Sequence, residues 1–255
     1  SRGLGDVYKR QIPKDKIIFN SDLINIEEYE KLKLSFSDNR KEKFDYIVAA
    51  DGVYSRTKEI LFKKEGTPKY FNSIALRGNI QNFENSDISL YLGSNFHFVI
   101  YPINQNNEFN FISIVRKKLV ESEITNRSLF KDKIFINNLM SQISSKSDLN
   151  LSELVNEIKC FPIFVSKKIK IPSNKNIFLM GDAFFSFPPS FAQGASQSIE
   201  SANDLFNDLN NNLSNYYKKR ILKTKQINFR SSINHHAFHI AHPINVFFRN
   251  IFLKY

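Results

Sequence analysis

Cysteine is almost missing from this sequence. Cys160 is the only one in 255 residues, so no disulfide can form within the chain. A reducing, cytoplasmic compartment fits that usage. Long apolar runs are missing as well. None approaches the roughly 20 residues that a helix needs to cross a bilayer, which argues against a transmembrane helix. No internal repeat is visible, and no aromatic-and-basic recognition motif accompanies the net charge of +11. Nucleic acid is therefore not an expected partner. The lysines are scattered through Lys- and Asn-rich loops, as in a solvated surface. An anionic substrate or a membrane surface is the functional alternative for that charge. The abundance of Ile, Lys, Asn and Phe suggests an AT-rich coding genome.

With 42% hydrophobic and 24% charged residues, the composition is that of a globular protein of one or two domains. Positions 1–11, SRGLGDVYKRQ, stand apart. Gly3-Leu4-Gly5 invites a dinucleotide fingerprint, but Tyr8 stands where a third glycine should, and no strand precedes the run. The eleven residues resemble a translated transposon adapter from sequencing-library preparation and are set aside from the fold. Removing three basic residues and one acid leaves a charge of +9. The expectation is a reading frame cut at its start.

Alternating patterns predict strands over 17–20 and 29–36, the second with Leu32, Leu34 and Phe36 on one face. A buried strand begins at Phe44 and ends in Asp51-Gly52, followed by a short helix over 55–62. Four alternating runs, SIALRGNI, ISLYLG, FHFVIYPI and EFNFISIVRKK, read as an antiparallel sheet. Helices are expected over 129–143, 151–159 and 215–239, with strand again over 161–171. Pro243 interrupts before a last apolar piece.

A second carboxylate motif lies at Gly181-Asp182, just after the apolar run 177–180. A proline-bearing loop leads to Gln193-Gly194 and a helix with apolar or small residues at Ala195, Ile199, Ala202, Phe206, Leu209 and Leu213. Those steps predict a stripe facing a core. Asp182 would then sit at the carboxyl end of a parallel strand, where open α/β sheets bind ligands. The helix start offers unpaired N–H groups and partial positive charge. This combination suits a sugar-bearing ligand with an electron-rich end. The plainer alternative is a capping aspartate and a tight turn.

Together, DYIVAADGVYSRTKEILF and FLMGDAFFSFPPSFAQGASQSIESANDL resemble the paired Asp-Gly and Gly-Asp motifs of the flavin-dependent aromatic hydroxylases with the p-hydroxybenzoate hydroxylase fold. The strands between them and the tail YYKKRILKTKQINFRSSINHHAFHI resemble the salicylate hydroxylase-like branch. The resemblance implies an α/β, two-domain flavoprotein: a partial Rossmann-like FAD-binding domain over 12–62, an inserted antiparallel substrate domain over 63–165, and the second part of the FAD domain with C-terminal helices over 166–255. It implies FAD and NAD(P)H as cofactors, with O2 and a small phenolic or aromatic-acid substrate hydroxylated through a flavin C4a-hydroperoxide. Epoxidation, flavin reduction on the same scaffold, or a non-catalytic fragment are the alternatives. A homodimer stays open.

By the same resemblance, Asp51, Gly52, Gly181 and Asp182 would bind the cofactor, with Asp182 on a ribityl or ribose hydroxyl. Pro189 would lie near the flavin ring. Gln193, Gly194, Ala195 and Ser196 would face its pyrimidine edge. Phe185 and Ser196 depart from the family's frequent His and Asn, and the GxGxxG turn expected upstream of Asp51 is missing. Candidate substrate residues are Arg77, which could pair with an anion, and His97 and Tyr101, which share a strand face with Val99. Plainer roles for them are a surface ion pair and a polar sheet edge. His235, His236, His239 and His242 invite a metal, but no acid or cysteine joins them, so none is expected.

Overall fold

In the computed structural model, three antiparallel strands come first: β1 (Leu23–Glu28), β2 (Leu32–Phe36) and β3 (Lys41–Phe44). They are followed by β4 (Ile47–Ala49) and helix α1 (Arg56–Phe62). The long strand β5 (Lys69–Gln81) leads into β6 (Ser89–Gly93), β7 (Phe96–Pro102) and β8 (Glu108–Arg116). Helices α2 (Glu121–Thr125), α3 (Lys133–Ser144) and α4 (Leu151–Leu154) precede β9 (Val155–Val165) and β10 (Ile177–Leu179). Helices α5 (Gly194–Leu209), α6 (Tyr216–Phe238) and α7 (Pro243–Phe252) close the order. The structure describes residues 12–81, 83, 87–103, 107–147, 149–209 and 215–252. Positions 1–11 and Leu213, singled out above, lie outside them.

The chain forms two compact units. One comprises the chain up to Lys69 together with Val165–Phe229; the other comprises Tyr70–Phe164 and the chain from Arg230 onward. In the first, β10 pairs with β4 in parallel, Leu179 opposite Ala49. Leu32 and Leu34 on one face of β2 are buried with Ile177, as their alternation requires. Phe178, Leu205 and Tyr216 form a second apolar cluster, and Ala49, Leu179, Phe184 and Phe185 a third.

The second unit holds a five-stranded sheet in the order β6-β7-β8-β5-β9. Phe96, Phe98 and Ile100 of β7, Phe109 and Phe111 of β8, and Ile74, Leu76 and Ile80 of β5 form one buried core with Leu139, Met140 and Ile143 of α3. Alternation puts the opposite parity on the other face. Arg77 is across from Ile112, which is across from Val99, and Asn110 lies between Asn79 and Tyr101.

Three expectations need correction. Residues 17–20 form no strand; Ile18 and Phe19 are exposed beyond a single 3-10 turn, with no ladder partner. The helix expected over 151–159 stops at Leu154, because β-branched Val155 and Ile158 join an extended strand, within which Glu157 is left-handed at φ 51°. The stripe on α5 does not face a core. Ala195, Ile199, Ala202, Phe206 and Leu209 are exposed, while Gln197, Ser201, Leu205 and Asp208 are buried. Buried Arg220 of α6 draws that polar face inward, bonding the Gln197 side-chain carbonyl at 2.7 Å and the Asp204 carboxylate at 3.1 Å. No helix among the described residues is long and apolar enough to cross a membrane.

Candidate functional site

The two carboxylate motifs, far apart in sequence, leave adjacent parallel strands side by side. The Met180 N–H donates to the Ala49 carbonyl at 2.9 Å, carrying the pairing one residue past β10. Both chains then turn at a left-handed glycine, Gly52 at φ 78° and Gly181 at φ 57°. Few other residues tolerate that conformation. At Gly181 space adds a second constraint: a Cβ would lie 2.7 Å from the Ser198 hydroxyl oxygen. The Gly181 N–H donates to Ser201 Oγ at 3.2 Å, so the motif rests directly on α5.

Asp51 caps α1. Its Oδ2 accepts from the Thr57 N–H and hydroxyl, each at 3.0 Å, while Ser55 Oγ accepts the Lys58 N–H at 3.0 Å. Asp51 is nevertheless exposed, and its Oδ1 engages no donor among the described residues. Asp182 is half-buried. Burial raises its carboxyl above the ordinary range, and the Lys58 ammonium pulls it back. Gly194, Ala195 and Ser196 are exposed at the start of α5, and a Cβ on Gly194 would meet nothing within 4 Å. The first N–H groups of that helix have no intrahelical acceptor. Pro189 is exposed and Gln193 half-buried in the loop before it.

Two carboxylates with spare acceptor oxygens beside an open helix N-terminus fit a ligand that carries hydroxyls along its length and negative charge at one end. FAD has that chemistry in its ribityl chain and reduced ring, so the residues present fit the group.

Lys58 escaped the sequence reading. It is 4% exposed, and its ammonium donates to the Phe184 carbonyl at 3.2 Å and to Ser166 Oγ at 3.3 Å. Its position three residues after the capping Ser55, on the inward side of a short helix, was the available signal.

In the second unit, Arg77, Val99 and Tyr101 share the sheet face opposite the core. Arg77 is exposed and Tyr101 half-buried, its hydroxyl accepting from Asn110 Nδ2. His97 has the same parity but is buried. Its Nδ1 lies 3.0 Å from His239 Nε2, and the Phe238 ring stands edge-on to it at 5.1 Å. His235 and His239 turn toward that contact, their rings 4.4 Å apart, while His236 and His242 are exposed. Among the described residues, no set of three or more His, Cys, Asp or Glu side chains converges as a metal ion requires.

A family profile described as FAD binding domain matches residues 27–231. The chain is 24% identical over 211 residues to the 6-hydroxynicotinate 3-monooxygenase of Bordetella bronchiseptica, covering 75% of this chain and 51% of that protein. It is 23% identical to a 3-amino-4-hydroxybenzoate 2-monooxygenase of Streptomyces platensis, covering 81% and 54%. The chain thus spans about half the length of these curated relatives. Among solved structures, a variant of Klebsiella pneumoniae HpxO complexed with FAD superimposes with a TM-score of 0.77 at 16% identity, covering 92% of this chain and 63% of that one. A salicylate hydroxylase in a substrate complex gives 0.76 at 16% identity, covering 93% and 66%.

Proposed function

The chain belongs to the FAD binding domain family, and from that premise we propose that the whole protein is an FAD-dependent monooxygenase that hydroxylates a small aromatic ring with NAD(P)H and O2. The observation that carries the reading is the pairing of Asp51 and Asp182 at the ends of adjacent parallel strands, beside the open start of α5. When bound, FAD supplies the electron transfer and oxygen activation. The protein does the rest. Asp182 accepts a hydrogen bond from a ribityl or ribose hydroxyl, and Asp51 Oδ1 accepts another from the cofactor. The amides of Gly194, Ala195 and Ser196, with the helix dipole behind them, stabilise negative charge on the ring's pyrimidine edge. Gln193 borders that edge, Gly52 and Gly181 let the backbone approach, and Pro189 lies against the ring.

On the other unit, Arg77 pairs with an anionic group of the substrate, and Tyr101 orients a ring hydroxyl. His97, held by His239, backs that face. Relatives named for hydroxylated aromatic acids support this substrate class. The reading places the enzyme in the cytoplasm, where NAD(P)H is supplied and the buried thiol of Cys160 stays reduced.

Titration of FAD into the chain, followed by flavin fluorescence, tests the site. Asp182→Ala is expected to weaken binding by at least tenfold, about 1.4 kcal/mol, with the fold intact by circular dichroism. Equal affinity in the variant would remove Asp182 from the site. Transfer of one atom of labelled O2 into the organic product separates hydroxylation from simple flavin reduction.

A further inference from the structure

Lys58 is a buried cation with no carboxylate within ion-pair distance among the described residues, and its surroundings say what it does. It sits on α1, seven residues after Asp51. Its ammonium reaches the Phe184 carbonyl, two residues after Asp182, and the hydroxyl of Ser166. Ser166 is itself fixed to the same loop: its Oγ accepts the Ser186 N–H at 3.0 Å, and its own N–H donates to the Ser186 carbonyl at 3.0 Å. One side chain therefore joins three segments of the first unit, two of which carry the motif carboxylates. Burying an ammonium without a direct counter-ion is costly, so a merely structural tie would be better made by a neutral donor.

We propose that Lys58 is a positioning residue for the flavin site: its buried ammonium locks the loop after Asp182 to the helix after Asp51 and supplies the positive charge that faces the Asp182 carboxylate. This rests on the reading of Asp182 as a cofactor ligand.

The charges around the pair are few. Burial lowers the Lys58 ammonium below its ordinary range, opposed by the carboxylates of Asp51 and Asp182. Asp182 is raised by its own burial and lowered by Lys58. The first turn of α5 brings no charged residue, and Glu200 further along it is taken by Arg220 and Lys223. Lys58 is thus the cation that opposes, in part, the effect of burial on Asp182. For a carboxyl raised by burial, the ionised form is lost as pH falls, and losing Lys58 moves that loss to higher pH.

Two measurements on the full chain test this. Carboxyl-carbon NMR of the cofactor-free protein reads the titration of Asp182 directly. Lys58→Met is expected to raise its midpoint by at least one pH unit, and Lys58→Arg to restore it. FAD titrated from pH 5.5 to 8.5 should lose affinity at correspondingly higher pH in Lys58→Met, while Asp182→Asn removes the pH dependence. An unmoved Asp182 midpoint in Lys58→Met, or a loss of affinity equal at every pH, overturns the proposal. A shifted midpoint with FAD affinity indifferent to Asp182→Asn leaves the electrostatic link standing and sinks the flavin reading instead. If Lys58→Met does not fold, Lys58→Gln, which keeps a donor for the Phe184 carbonyl, replaces it. Failure of both to fold while Lys58→Arg folds assigns Lys58 to structure alone and also overturns the proposal.

Discussion

The two units are held together by different means. The unit around the five-stranded sheet has one continuous apolar core, in which the rings of Tyr91, Phe96 and Phe111 pack around Phe98. The unit that carries the motif carboxylates has three small apolar clusters instead. Much of its interior is polar: Lys58, Arg220, Gln197, Ser201 and Asp208 are buried, and the Tyr216 and Tyr217 hydroxyls donate to carbonyls of β10. A continuous core tolerates solvent changes and fails through lost volume. A polar interior fails when one partner is lost and its neighbours are left unsatisfied. The comparison teaches that the candidate cofactor site stands on the part of the molecule whose order depends most on hydrogen bonds and charge.

The sheet unit nonetheless has one polar weakness, and acid should expose it with the largest effect. His97, His235 and His239 are buried beside half-buried Arg116, whose Nε lies 3.5 Å from His235 Nε2. Burial, with the neighbouring positive charges behind it, pushes His97 and His235 down to about 4 and His239 to about 3. All three are neutral when folded, whereas the unfolded chain takes up their protons near pH 6.5. The unfolded state therefore binds more protons below that pH. Stability is present in full above pH 6.5 and is lost as pH falls toward about 4. If the three titrate independently, about 2 kcal/mol goes between pH 7 and pH 6, with more below. Urea midpoints followed by circular dichroism should fall over this range, with protease cuts appearing first in 70–164. A flat pH profile would show that the cluster is not neutral.

Removing core volume from the same unit comes next. Phe98 is fully buried, and Phe98→Ala should cost about 3–5 kcal/mol, read as a lower urea midpoint. In the other unit, Arg220→Ala strands the Asp204 carboxylate and the Gln197 side-chain carbonyl, leaves Glu200 to Lys223, and should cost about 3 kcal/mol. Arg220→Met should cost less than the alanine variant, since it keeps the volume. If the two Arg220 variants melt alike, the charge network is not what orders that interior.

The same contrast governs what could be read from sequence. Strands β5 to β8 were legible because a sheet with one face on a core writes its alternation into every strand, as in Phe96, Phe98 and Ile100 against His97, Val99 and Tyr101. The placement of Asp51 and Asp182 was legible because glycine turns at strand ends have few substitutes. The orientation of α5 was not legible. Its apolar residues point outward, and a buried arginine on another helix decides which side turns in. Lys58 was hidden for a similar reason: a lysine in a helix reads as surface until its contacts with residues more than a hundred positions away are known.

The smallest effect sharpens the comparison at the site itself. Helix α1 begins at Arg56 and is held by two caps at once, Ser55 Oγ on the Lys58 N–H and Asp51 Oδ2 on the Thr57 N–H. Ser55 is buried, so Ser55→Ala leaves the Lys58 amide without an acceptor and should cost about 1 kcal/mol. Asp51→Asn keeps an acceptor on the Thr57 amide and should cost less than Ser55→Ala in thermal unfolding. The order should reverse in FAD titration. Ser55 touches only the helix start, whereas Asp51 Oδ1 is the oxygen proposed to accept from the cofactor, and an amide that turns its NH2 outward would no longer accept there. A Ser55→Ala variant that loses more FAD affinity than Asp51→Asn would mean that Asp51 serves the helix alone.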